Sequence, residues 1–114
     1  MKNLNKVVGS KGEMEAKKFL QKNKYKILEM NYTCKLGEID IVAKDKDVIV
    51  FVEVKARSSL QYGTPAEAVT PYKQNKIRAV AKYYLMVQDA FDSDVRFDVI
   101  EVNDDVINHI QNAF

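Results

Sequence analysis

The chain has 114 residues, of which 46% are hydrophobic and 30% charged, and a formal net charge of +2; that is one domain's length, with enough apolar content for its own core and too much for a disordered chain. Cys34 is the only cysteine and His109 the only histidine, so an internal disulfide and a His/Cys zinc site are excluded, and any metal would rest on oxygen ligands, which suits Mg2+ or Mn2+. Met1 to Lys11 lacks the apolar segment of a signal peptide, and no run approaches the roughly 18 apolar residues of a spanning helix, so the expected setting is the cytoplasm, with no membrane partner.

Residues 1–9 read as a flexible basic tail. Ser10-Lys11-Gly12-Glu13 has the capping-box pattern and predicts a helix starting near Ser10. Ala16, Phe19 and Leu20 form its buried stripe. Glu13 lies on the same stripe, so it is either the capping partner of Ser10 or an inward-facing site residue. Tyr25 to Met30 predicts a short strand. Glu38 to Lys44 and Val48 to Ala56 are rich in β-branched residues and flank Asp45-Lys46-Asp47, which predicts a β-hairpin. A loop follows from Ala56 to Pro65, with Ser58, Ser59 and Gly63 as breakers. Thr70-Pro71 is an N-cap with proline at the first helical position; that helix runs to about Asp89 and buries Ile77, Val80, Ala81, Tyr84 and Leu85. Strands at Val95 to Val102 and Val106 to Ile110 complete an α/β fold, a mixed β-sheet flanked by α-helices in a single domain spanning residues 1–114.

The chemistry concentrates in the hairpin. Val48 to Val54 is almost continuously apolar, as in a strand covered on both faces, yet Glu53 and Lys55 sit at its end on a shared face. Asp40 is likewise a charge between large apolar residues. Opposed residues of an antiparallel pair have a constant sum. A sum of 93 sets Asp40 opposite Glu53, a sum of 91 sets it one step diagonal, and either puts both carboxylates on one face. Like charges there repel unless a cation bridges them, and an unpaired buried charge is costly. Two carboxylates can hold Mg2+, which acidifies a water and stabilises charge on phosphate; Lys55 can orient that water or neutralise the phosphate. Glu38 shares the face of Asp40 and is either a further ligand or an exposed charge at the strand start.

Gly37-Glu38-Ile39-Asp40-Ile41 followed by Phe51-Val52-Glu53-Val54-Lys55-Ala56-Arg57 resembles the PD-(D/E)xK nuclease superfamily, which has the restriction-endonuclease fold. Over nearly the whole chain, from Gly12-Glu13 through Asn31-Tyr32, both strands, Gly63 and Lys73 to Arg96-Phe97-Asp98, it resembles the YraN-like family of small bacterial proteins. It is also similar to archaeal Holliday-junction resolvases, which have a helix glutamate before the same strand pair. The resemblance implies that Asp40, Glu53 and the Val54 backbone carbonyl hold a divalent metal, that Lys55 assists catalysis, and that Glu13 is the helix glutamate. Ile39 stands where the superfamily motif is named for proline.

Charge is unevenly spread. Residues 1–35 carry +6, residues 36–54 carry −3, residues 55–82 carry +5 and residues 83–114 carry −6. A cationic rim around an acidic centre suits a polyanion, and solvated faces explain the same pattern. Lys73, Lys76 and Arg78 crowd the start of a helix, where a phosphate would offset the macrodipole; with Gln74 and Arg57 they form the expected nucleic-acid contact. The expected function is a Mg2+- or Mn2+-dependent endonuclease on DNA without strong sequence preference, with structured or branched DNA among the candidate substrates, acting as a homodimer or beside a protein partner. The alternatives are a DNA-binding module of the same fold without catalysis, and an interaction protein docking its acidic residues 83–114 on a basic partner.

Overall fold

The computed structural model describes residues 4–57, 69–104 and 106–114, with side chains from Lys11 onward except at Arg57. Their order is α1 (Leu4–Lys22), β1 (Lys26–Cys34), β2 (Gly37–Asp45), β3 (Val48–Arg57), α2 (Pro71–Val87), β4 (Asp94–Asn103) and β5 (Val106–Ile110). The order expected from sequence holds. Three details differ. α1 begins at Leu4 rather than at Ser10, so residues 4–9 are helical; no proline interrupts them, and polar composition speaks to solvation rather than to backbone conformation. β1 extends to Cys34, beyond the predicted Met30. β3 continues through Arg57, and the rest of the loop predicted to Pro65 lies outside the described residues.

The strands form one mixed sheet in the order β1-β2-β3-β4-β5. β3 and β4 are parallel, joined by the segment that carries α2, and the other pairs are antiparallel, because only a crossover can return the chain in the same direction. β2 pairs with β3 in the register that sums to 93, from Asp45 opposite Val48 to Ile41 opposite Val52. That leaves a two-residue turn, with Lys46 at a φ of 56°, the left-handed conformation that tight hairpins require.

Alternation along β3 divides the core. Phe51 and Ile49 pack with Ile77, Val80, Ala81, Tyr84 and Leu85 of α2. Val50 and Val52 pack with Ala16 and Leu20 of α1, together with Ile41, Ala43 and Ile100. A strand covered on both faces is apolar at every position, which explains the unbroken run in the sequence. α1 comes very close at Gly12: a Cβ there would stand 2.7 Å from the Ala56 Cβ. The missing side chain therefore sets how near α1, and Glu13 with it, lies to the end of β3.

One buried polar network stabilises the sheet on β4. Asp98 is fully buried. Its Oδ1 accepts from Arg96 Nε at 2.9 Å and from the Asn112 N–H at 3.1 Å; its Oδ2 accepts from Arg96 Nη2 at 2.9 Å and lies 2.7 Å from His109 Nε2. Arg96 also donates to Asp45 Oδ2 and Tyr25 Oη. Burial works against the Asp98 charge, but His109, Arg96 and the Asn112 amide together hold its carboxyl below the usual range. His109, the sole histidine, is thereby part of this structural network.

Two stability predictions follow from these contacts. Asp98→Ala leaves the Arg96 guanidinium buried without its main acceptor, and urea unfolding should show a loss of about 3–5 kcal/mol. Gly12→Ala must push α1 off β3, and the same measurement should show a loss of about 1–3 kcal/mol.

Candidate metal and phosphodiester site

The site forms where β2 and β3 cease to pair. Past Ile41 and Val52, Asp40 takes over the ladder with its side chain: Oδ2 accepts the Val54 N–H at 2.8 Å. Val54 thus enters the site through its amide as well as through any use of its carbonyl. Strict alternation breaks at the same place. Ile39 joins the cluster of α2, whereas Ile41 and Ala43 join that of α1.

The carboxylate of Asp40 therefore converges with Glu13 of α1 and with Glu38. These three each offer an oxygen, all within 4.8 Å of one another. Asn31, with a φ of 53°, braces the group from β1: its Nδ2 donates to Glu13 Oε1 at 2.8 Å and to Glu38 Oε1 at 3.3 Å. Of the two readings open for Glu13, the structure places it with the carboxylates.

Glu53 and Lys55 meet α2 instead. Glu53 is 7% exposed, and its Oε1 lies 2.9 Å from Lys73 Nζ and 3.8 Å from Lys55 Nζ. Asp40 and Glu53 both lie beyond the last paired residues, Ile41 and Val52, and Glu53 is the strongest charge acting on Asp40. Burial first, then Glu53, Glu13 and Glu38, push the Asp40 carboxyl from 3.8 up to about 8 against the pull of the Val54 N–H. Burial and the neighbouring Lys73 lower the Lys55 pKa against the pull of Glu53 and Asp40. Burial also opposes the charge on Lys73, but Glu53 outweighs it and raises that pKa.

The other expected contacts scatter. Lys73 is drawn into the site rather than left on a rim. Gln74 Nε2 donates to the Val69 carbonyl at 3.0 Å and braces the approach to α2. Lys76 sits over the Tyr72 ring at 5.4 Å, and Arg78 over the Phe97 and Phe114 rings at 5.8 and 5.4 Å. Among the described residues neither forms an ion pair with the site carboxylates, whereas Lys55 and Lys73 do. The Arg57 side chain lies outside the described residues. A cavity of about 520 Å3 elsewhere, between the β1–β2 turn and α2, is lined by Tyr32, Cys34, Leu36, Tyr83 and Val87 among others, and holds none of the carboxylates.

Sequence reasoning missed Asn31 as a site residue; its signal was an asparagine inside a strand, the residue type that best tolerates the left-handed backbone. It also missed how deeply Lys73 reaches.

Residues 12–102 match the profile of the uncharacterised protein family UPF0102, the family to which the YraN-like resemblance pointed. UPF0102 proteins of Caldicellulosiruptor saccharolyticus and Geobacter metallireducens are 49% and 50% identical to this chain. The alignments cover 94% and 96% of it, and 96% and 93% of those proteins. One from Caldanaerobacter subterraneus subsp. tengcongensis is 48% identical, with both chains covered in full.

The crowding of Asp40 predicts a pH signature. Its folded-state pKa lies above its unfolded value of 3.8, so the folded chain keeps its proton longer. Stability from this group is complete below about pH 4 and is lost as pH rises to about 8. In chelator-treated buffer the melting temperature of the wild type should fall between pH 5 and 9 relative to that of Asp40→Asn, and millimolar Mg2+ or Mn2+ should restore it at the upper end.

Proposed function

The chain belongs to the uncharacterised protein family UPF0102, and on that footing we propose that it is a Mg2+- or Mn2+-dependent endonuclease hydrolysing phosphodiester bonds in DNA, with branched or otherwise structured DNA as the preferred substrate. The observation that carries this reading is the ring of carboxylates around Asp40, whose mutual repulsion a hard cation relieves. The donor set fits such a cation, since Glu13, Glu38 and Asp40 supply hard oxygen atoms at one place. The resemblance of β2 and β3 to the PD-(D/E)xK motif supports the same assignment.

Asp40 and Glu53, the pair that the motif resemblance assigns to the metal, would hold the cation together with Glu13 and Glu38. When bound, the cation supplies charge stabilisation for the phosphate and acidifies a water. The Val54 N–H fixes the Asp40 carboxylate, and Asn31 fixes Glu13 and Glu38, so the oxygen donors are positioned before substrate arrives. Lys55, its pKa lowered by burial and by Lys73, is suited to take the proton from the attacking water. The water oxygen bonds to phosphorus, the phosphorus–oxygen bond of the leaving strand breaks, and the released alkoxide takes a proton from solvent. Glu53 orients Lys55 from the same face of β3.

The ion pair between Lys73 and Glu53 favours a second reading, a DNA-binding module without catalysis, because a carboxylate already neutralised draws a cation less strongly.

Nicking of linear, single-stranded, flapped and four-way DNA separates the two. Cleavage should require Mg2+ or Mn2+ and should be abolished by Asp40→Asn. Lys55→Ala should keep metal binding while cleavage falls about 10²-fold or more. DNA binding by the wild type without metal-dependent cleavage of any substrate would leave the binding module.

A further inference from the structure

Lys73 is placed by local chemistry rather than by chance of a long side chain. Thr70 caps α2, its Oγ1 accepting the Lys73 N–H at 3.2 Å, and Pro71 fixes the first helical position. From this rigid turn the ammonium reaches a nearly buried carboxylate, 2.9 Å from Glu53 Oε1, the same oxygen that Lys55 approaches at 3.8 Å. The two lysines differ in freedom. Lys55 stands on a central strand with 21% of its side chain exposed, whereas 42% of the Lys73 side chain is exposed, so Lys73 can leave by rotating its flexible stem into solvent.

A divalent cation that took Glu53 Oε1 would meet the Lys73 ammonium at contact distance, where like charges repel strongly. The two are alternative partners for one oxygen. We propose that Lys73 is an exchangeable counter-ion: it neutralises Glu53 until a divalent cation and a DNA phosphate arrive, then transfers its ammonium from Glu53 to a phosphate oxygen. Lys73 is then a positioning residue that couples cation entry to substrate arrival. A lysine suits the role, because its compact ammonium binds phosphate as a point charge and its stem can move between two acceptors. The inference rests on the metal-dependent reading of the site.

The test is a Mn2+ titration, followed by electron paramagnetic resonance, of the wild type, Lys73→Met, Lys73→Gln and, as a control for lost positive charge, Lys82→Met on the exposed face of α2. Without DNA, Lys73→Met and Lys73→Gln should each bind Mn2+ about tenfold more tightly than the wild type, and Lys82→Met should match it. With DNA at saturating Mn2+, the KM for cleavage should rise several-fold in both Lys73 variants. Unchanged or weaker Mn2+ binding in both, with the wild type binding normally, overturns the exchange role alone. Mn2+ binding by Lys73→Met but not by the wild type supports it. If neither the wild type nor the variants bind Mn2+, the metal reading fails and the exchange role with it. Two measurements of unlike kind must move together, Mn2+ binding tightening while KM for DNA rises, which a merely structural ion pair would not produce.

Discussion

Four carboxylates brought to one strand end impose the constraint around which this domain is arranged. Taking ionised oxygen out of water is costly, and crowding several such groups raises the cost further. The chain meets it in two ways. On one side two lysines neutralise Glu53. On the other, Asp40 is driven toward its protonated form while Asn31 and the Val54 amide satisfy what oxygen atoms they can. Neither device removes the repulsion, and a small hard cation would. The paired ladder of β2 and β3 ends at this point, where the Asp40 side chain accepts the Val54 amide.

A second buried acid, one strand away, shows what the same sheet does when charge serves stability. Asp98 is as buried as any described residue, yet its carboxyl is held below the ordinary range, because arginine, histidine and a backbone amide converge on it. Asp40 is pushed the opposite way by neighbours of its own sign. Structural charges are normally paired to satisfaction, and groups left perturbed tend to be where function lies. α1 serves both regions: Phe19 packs edge-on against His109 in the Asp98 network, and Gly12 lets the helix bring Glu13 against the end of β3.

Much of this was legible in the sequence. The apolar run of β3 read as a strand covered on both faces, and Thr70-Pro71 marked the start of α2. The hairpin left two registers open, and the structure selects the one with a two-residue turn. What parity could not supply was the break at Asp40. Alternation assumes a continuous ladder, and here a side chain replaces a backbone acceptor. The pairing of Lys73 with Glu53 and of Asn31 with Glu13 and Glu38 was hidden for a related reason: each reaches the site from an element whose placement depends on tertiary packing. The spread of Lys76 and Arg78 onto aromatic rings is equally a matter of packing, since sequence shows the charge but not the ring beneath it. The start of α1 was misjudged because a capping-box pattern marks a possible helix start without excluding an earlier one.

A hard-cation site among Glu13, Glu38 and Asp40 is tested most directly by anomalous diffraction from crystals soaked in Mn2+, which locates such an ion. The result expected is one strong anomalous peak within coordinating distance of an oxygen from each of these three residues, with the Lys73 ammonium moved off Glu53. Mn2+ bound elsewhere on the chain, with Asp40 still donating no ligand and Lys73 still on Glu53, would contradict it.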